Sequence, residues 1–190
     1  KWAEECECEL KKTATQAVPG VGNANAEIVF IGEAPGKSED KEGKPFVGSA
    51  GKFLNKMLAL INLKRENIYI TNIVKYRPPN NRDPLPEEIE AYRPYLDKEI
   101  DIIEPKVIVT LGRFSMGKFM PGAKISQVHG QTHWINWQSK KILVVPMYHP
   151  AAALRAGEVL RQFKADFAKL RQIIDTINKQ PRPKQLELLC

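Results

Sequence analysis

Four short apolar, largely β-branched runs recur along the chain, at residues 27–31, 67–74, 106–111 and 141–147. Each is bounded by Gly, Asn or Pro and lacks the strict alternation of a half-exposed sheet, so they read as parallel strands covered on both faces. Helical spacing fills the intervals. Residues 49–61 place Phe53, Leu54, Met57, Leu58 and Ile61 on one stripe behind Ser49 as a candidate cap. Residues 86–103 open on Pro86 and repeat Ile89, Leu96, Ile100 and Ile103, while Leu160, Phe163, Phe167, Leu170, Ile174 and Ile177 advance by three and four after the last strand. Strand alternating with helix four times predicts an α/β fold, a three-layer αβα sandwich around a central four-stranded, mostly parallel sheet. Residues 131–137 and 140–145, with a turn at 136–139, read as a hairpin leading into the last strand.

A length of 190 residues suits one domain, assigned to residues 1–180, followed by a tail at 181–190 in which Pro181 and Pro183 stop the last helix. The end of the tail, residues 186–190, reads either as a docked apolar end or as a peptide that recruits a replication or repair partner. Cys6, Cys8 and Cys190 are an odd count with no disulfide framework. No apolar run approaches the ~20 residues of a membrane span and no signal peptide opens the chain, so the expectation is an intracellular monomer of cytoplasm or nucleoid, without membrane contact. Lys and Arg number 29 against 22 acids, a net charge of +7. That balance suits either a polyanionic partner or a solvated basic surface. Residues 151–190 carry eight Lys/Arg against four Asp/Glu, so the basic character leans C-terminal.

In an open α/β sheet, ligands bind beyond the carboxyl ends of the strands. Those ends offer Glu33, Asn72 and His149 to a single rim. Each has an ordinary reading alone, as a surface acid, a turn residue or a packed histidine; their coincidence at one rim marks a site. The first loop, Gly32-Glu33-Ala34-Pro35-Gly36-Lys37-Ser38, nearly spells a phosphate-binding P-loop. Three residues separate its glycines where that motif needs four, and no strand ends in a magnesium-holding Asp, which leaves a nucleotide hydrolase as a remote alternative.

Gly32-Glu33-Ala34-Pro35-Gly36 with Glu39-Asp40, Lys44-Pro45-Phe46-Val47-Gly48, Tyr69-Ile70-Thr71-Asn72, Arg77-Pro78-Pro79-Asn80-Asn81-Arg82 and His149-Pro150 with Leu154-Arg155 resemble the family 4 uracil-DNA glycosylases, in order and spacing, across residues 8–167. The resemblance implies a DNA-repair enzyme that flips uracil out of single- or double-stranded DNA and hydrolyses its glycosidic bond. It implies that Phe46 stacks on the base, Asn72 reads its edge, Gly32 allows close approach and Glu39 stands against C5, where it would exclude thymine; an exposed loop acid is the other reading of Glu39. It makes Glu33 the residue that orients water and His149 the donor to O2, with Leu154, Arg155 and Arg82 on the DNA. A relative that binds DNA or damaged bases without catalysis is the alternative in another class. A sister branch uses a His in the loop after Asn72 to trap the sugar; residues 77–84 contain none, which implies release of product.

Family members hold a 4Fe–4S cluster on four cysteines. Here Cys8 alone occupies a ligand position, with Glu5, Tyr76 and Tyr92 at the other three. A cluster requires four thiolates, so the expectation is a protein with no metal and no cofactor, the two tyrosines filling the vacated volume.

Overall fold

The computed structural model describes residues 8–178, so Cys6, Cys190, Glu5 and the tail at 181–190 lie outside the described residues. Strands β1 (Val21–Gly22), β2 (Ile28–Gly32), β3 (Tyr69–Asn72), β4 (Val107–Leu111), β5 (His133–Trp137) and β6 (Lys140–Met147) form one sheet in the order β1-β3-β2-β4-β6-β5. The helices are α1 (Lys37–Glu42), α2 (Ser49–Leu60), α3 (Pro86–Ile103), α4 (Arg113–Phe119), α5 (Ile125–Val128), α6 (Pro150–Ala153) and α7 (Gly157–Asn178).

The four expected strands are the centre of this sheet, β3, β2, β4 and β6, all parallel to one another. The sheet is six-stranded and mixed, however, which corrects the four-stranded expectation. The hairpin read at residues 131–145 adds β5 antiparallel to β6, and β1 adds an antiparallel edge beside β3. β1 is two exposed residues long, too short to carry any periodicity. The run at 67–74 also shortens: Arg65–Asn67 is a 3₁₀ turn, and the strand ends at Asn72. Beyond it the chain still bonds to the segment after β2, through Ile73 N–H to Gly32 O (3.1 Å) and Val74 N–H to Glu33 O (3.2 Å).

Because side chains alternate across a strand, the continuous apolar run of β2 feeds two cores. Ile28 and Phe30 face Leu54, Met57 and Leu58 of α2 and Phe163, Phe167 and Leu170 of α7. Val29 and Ile31 face Tyr92, Leu96 and Ile100 of α3 and Phe119 of α4. Helices therefore cover both faces, and each fully buried aliphatic or Phe side chain contributes about 1.5–3 kcal/mol relative to exposure. Ser49 does not cap α2. The N-cap is Gly48, which has no capping side chain and whose own amide donates to the Glu39 carboxylate in α1.

Candidate active site

Register places Gly32 opposite Asn72 at the carboxyl ends of β2 and β3, and Leu111 opposite Met147 at the ends of β4 and β6. Gly32 is required here sterically: a Cβ would lie 2.3 Å from Asn72 Oδ1 and 2.5 Å from Phe46 Cζ. Asn72 and Phe46 thus close over a bare stretch of backbone. Asn72 is only 2% exposed, and its buried Oδ1 accepts from no group among the described residues. Leaving such an acceptor unpaired costs about 1–3 kcal/mol, so its retention points to a donor supplied by a ligand.

Phe46 sits in a loop held under strain. Its φ is 52°, in the left-handed region that non-glycine residues seldom occupy. Three residues maintain it. Gly51 lets α2 approach, since a Cβ there would meet the Phe46 carbonyl carbon and oxygen at 2.0 Å. Arg65 donates to Pro45 O (2.6 Å) and Phe46 O (3.2 Å). Glu39 Oε1 accepts from Val47 N–H (2.9 Å) and Gly48 N–H (2.8 Å). One oxygen of the Glu39 carboxylate thus holds the loop's backbone. Arg65 escapes sequence reading because its role is fixed by a fold-back across the chain, with no motif around it.

His149 caps α6: its Nδ1 accepts from Ala151 N–H at 3.2 Å. A backbone amide can only donate, so Nδ1 is unprotonated and the ring's proton resides on Nε2. Burial pushes the pKa of His149 down to about 4, helped by Arg155 and opposed by the Glu39 carboxylate. The ring is thus a neutral N–H donor at physiological pH, with its centroid 6.0 Å from that of Phe46. Glu33, half-buried just past β2, has its pKa pushed up to about 7, mainly by burial and then by Asp83, with Arg113 pulling the other way. Asp83 and Arg113 form an ion pair at this edge of the rim, a modulating pair that no sequence motif announced.

Among the expected DNA contacts, Leu154 follows α6 and is 49% exposed, an apolar side chain presented outward, with exposed Arg155 beside it. Arg82 differs. Its guanidinium grips Glu88 with both nitrogens (2.6 and 2.9 Å), while Glu88 also accepts from Leu85 N–H at the start of α3. Arg82 is thus paired with the buried Glu88 carboxylate while its side chain stays 38% exposed.

Comparison with known proteins bears directly on this rim. A profile described as the uracil DNA glycosylase superfamily matches residues 19–173. The chain belongs to that superfamily. It is 48% identical over 179 residues to the type-4 uracil-DNA glycosylase of Archaeoglobus fulgidus, covering 92% of this chain and 89% of the relative. It is 49% identical over 177 residues to the type-4 enzyme of Sulfurisphaera tokodaii (89% and 80%), and 47% identical over 175 residues to that of Saccharolobus solfataricus (89% and 81%). The superfamily match takes in the glycine-rich loop after β2, which assigns that loop to a glycosylase scaffold and not to a nucleotide hydrolase.

The iron–sulfur group for which type-4 members are known finds a poor fit among the described residues. Cys8, Tyr76 and Tyr92 do converge, all buried in one core cluster with Leu10, and the two tyrosine rings lie 6.4 Å apart. Two aromatic rings occupy the space and Cys8 is the one thiol described there. No three His, Cys, Asp or Glu gather into a metal-binding group among the described residues. These residues do not fit a four-thiolate cluster.

Proposed function

We propose that this chain flips uracil out of DNA and hydrolyses the bond between base and deoxyribose, leaving an abasic site. The observation that carries this reading is the unpaired, buried Oδ1 of Asn72, set against Gly32 beside the Phe46 ring, which in turn lies 6.0 Å from the ring of the donor His149. Uracil presents an N3–H donor beside the O4 acceptor, the complement of a carboxamide's acceptor and donors. Cytosine presents the reverse, leaving Asn72 unsatisfied, and sites built this way discriminate strongly. Stacking on Phe46 adds about 1–3 kcal/mol.

Bond breaking leaves negative charge on the departing base and positive charge on the sugar. His149 Nε2–H donates to uracil O2, where the negative charge gathers; as a neutral imidazole fixed by Ala151 it needs no reorganisation. Glu33 as a carboxylate orients the water that adds to C1′ and offsets the sugar's charge. Glu39 fastens the Phe46 loop through Oε1, so its carboxylate sets where the stacking ring lies. Leu154 fills the gap left by the flipped base and Arg155 meets a phosphate, whereas Arg82 shapes the loop. No helix among the described residues is long and apolar enough to cross a membrane.

We infer further that the chain works without an iron–sulfur group, since Tyr76 and Tyr92 close the core where thiolates would be needed. Purified protein is expected to lack broad visible absorbance; anaerobic reconstitution giving about four irons per chain would overturn this. The activity itself is tested by incubating the protein with single- and double-stranded oligonucleotides carrying one uracil, then alkali. Strand cleavage at the uracil position alone is expected, and an uncut strand rejects the reading.

A further inference from the structure

Against the backbone carbonyl of Asn72 lies a buried charge that the chemistry above does not use. Lys75 is 0% exposed, three residues past the end of β3. Its ammonium turns back to donate to the Asn72 backbone carbonyl (2.9 Å), to Glu99 Oε2 on α3 (2.8 Å) and to Thr71 Oγ1. All three N–H donors of a lysine are thereby engaged. Glu99 is itself gripped, accepting from Thr71 Oγ1 (3.0 Å) and Tyr69 Oη (3.3 Å). Burial pushes Lys75 down and the Glu99 carboxylate opposes it.

Such a pair is a poor source of stability. Desolvating two ions offsets most of their attraction, and well-packed apolar replacements are often neutral or better. What the pair does provide is a fixed direction. β3 ends at Asn72, the residue whose side chain must meet a base edge at a defined angle, and on its outer side β1 pairs only with Tyr69 and Ile70, short of that end. The Lys75 ammonium grips the Asn72 carbonyl and ties it, through Glu99, to the body of α3.

We propose that Lys75, anchored by Glu99, is a positioning residue for base recognition: it fixes the Asn72 backbone so that the carboxamide engages the uracil edge in register. This rests on the uracil-excision reading.

The test is a double-mutant cycle between Lys75→Met and Asn72→Ala, read as single-turnover excision of uracil with enzyme in excess. Lys75→Met is expected to slow excision by about tenfold or more in the native background and by less than about twofold when Asn72 is already Ala, because the two act through one contact. A residue that merely supports the fold lowers the melting temperature and slows both backgrounds by the same factor; that result overturns the proposal. Since Lys75→Met strands a buried carboxylate, the cycle is repeated with the charge-neutral pair Lys75→Met/Glu99→Gln, for which the same non-additivity is expected and additivity is equally fatal. If the unaltered protein fails to excise uracil, the functional reading falls and this proposal with it. Excision by the unaltered protein with an additive cycle removes only the role of Lys75.

Discussion

Asn72 and Tyr76 lie four residues apart on one segment, yet they end in opposite kinds of environment. Around Asn72 the protein keeps features that cost stability: an unpaired buried acceptor, a Phe at φ 52° and a carboxyl pushed up to about 7. Around Tyr76 the surroundings are mainly aromatic and aliphatic, with Tyr76, Tyr92, Cys8 and Leu10 sharing a core cluster and the two tyrosine rings 6.4 Å apart. Natural folds retain such local conflicts where a ligand resolves them, and remove them elsewhere. On the reading proposed above, the first region is kept for chemistry, while the second, where Tyr76 and Tyr92 stand in place of thiolates, serves as core.

The sharpest way to break the contrast is His149→Ala. Loss of one preorganised anion donor should slow the single-turnover step by ~10²–10³ with DNA affinity within a few-fold, measured by quenched-flow excision and by binding to an uncleavable duplex. An intact rate, or a protein that no longer folds, would make His149 a packing residue. Tyr92→Ala should show the converse. Removing a fully buried ring is expected to cost about 3–5 kcal/mol in denaturant unfolding, while the rate per folded molecule stays within a few-fold. A collapse of rate in folded protein would merge the two regions into one functional unit.

A more than tenfold loss of excision is expected for Asn72→Asp, since the carboxylate cannot donate to O4, at ~1–3 kcal/mol per two-point contact. The pH profile sharpens the same region. In the proposed chemistry Glu33 acts as a carboxylate, and with its pKa raised to about 7, protonation on acidification should remove the active form. The single-turnover rate should fall about tenfold per pH unit below ~7 and level off above it. His149, pushed down to about 4, stays a neutral donor throughout that range. Glu33→Gln should abolish the limb; a profile unchanged by that substitution would remove Glu33 from the chemistry. The smallest expected effect separates two arginines. Arg155→Ala should make the slope of log affinity against log salt shallower by about one, whereas Arg82→Ala, whose charge is already matched by Glu88, should leave it unaltered.

The parts of this picture legible in the sequence are those that a local pattern carries. The buried runs of β2, β4 and β6 announced central strands because both faces are covered, and Asn72, Glu33 and His149 stood out as the polar residues at the strands' carboxyl ends. The edge strand β1 escaped because two exposed residues have no period. Ser49 looked like a cap because its type is right, but the N-cap is Gly48, and its amide, with that of Val47 before it, donates to Glu39 in the preceding helix. The second layer of the site, Arg65 and the Lys75–Glu99 pair, acts through contacts between distant segments. Even so, a signal was present: Lys75 interrupts the apolar run Ile73-Val74, and Glu99 sits on the stripe of Leu96, Ile100 and Ile103, two opposite charges where apolar residues belong.

The central claim is that the unpaired Oδ1 of Asn72 receives the N3–H of uracil. The most direct measurement compares two oligonucleotides that differ at one atom, one carrying 2′-deoxyuridine and one carrying its N3-methyl derivative at the same position, under single-turnover conditions. Methylation deletes the donor and leaves the glycosidic bond, the O2 acceptor and the stacking face in place. Excision of the methylated base is expected to fall by at least about a hundredfold, the scale on which a hydrogen-bonding site rejects an analogue lacking its partner. Excision of both bases at similar rates would contradict the claim, and would place the base edge somewhere other than against Asn72.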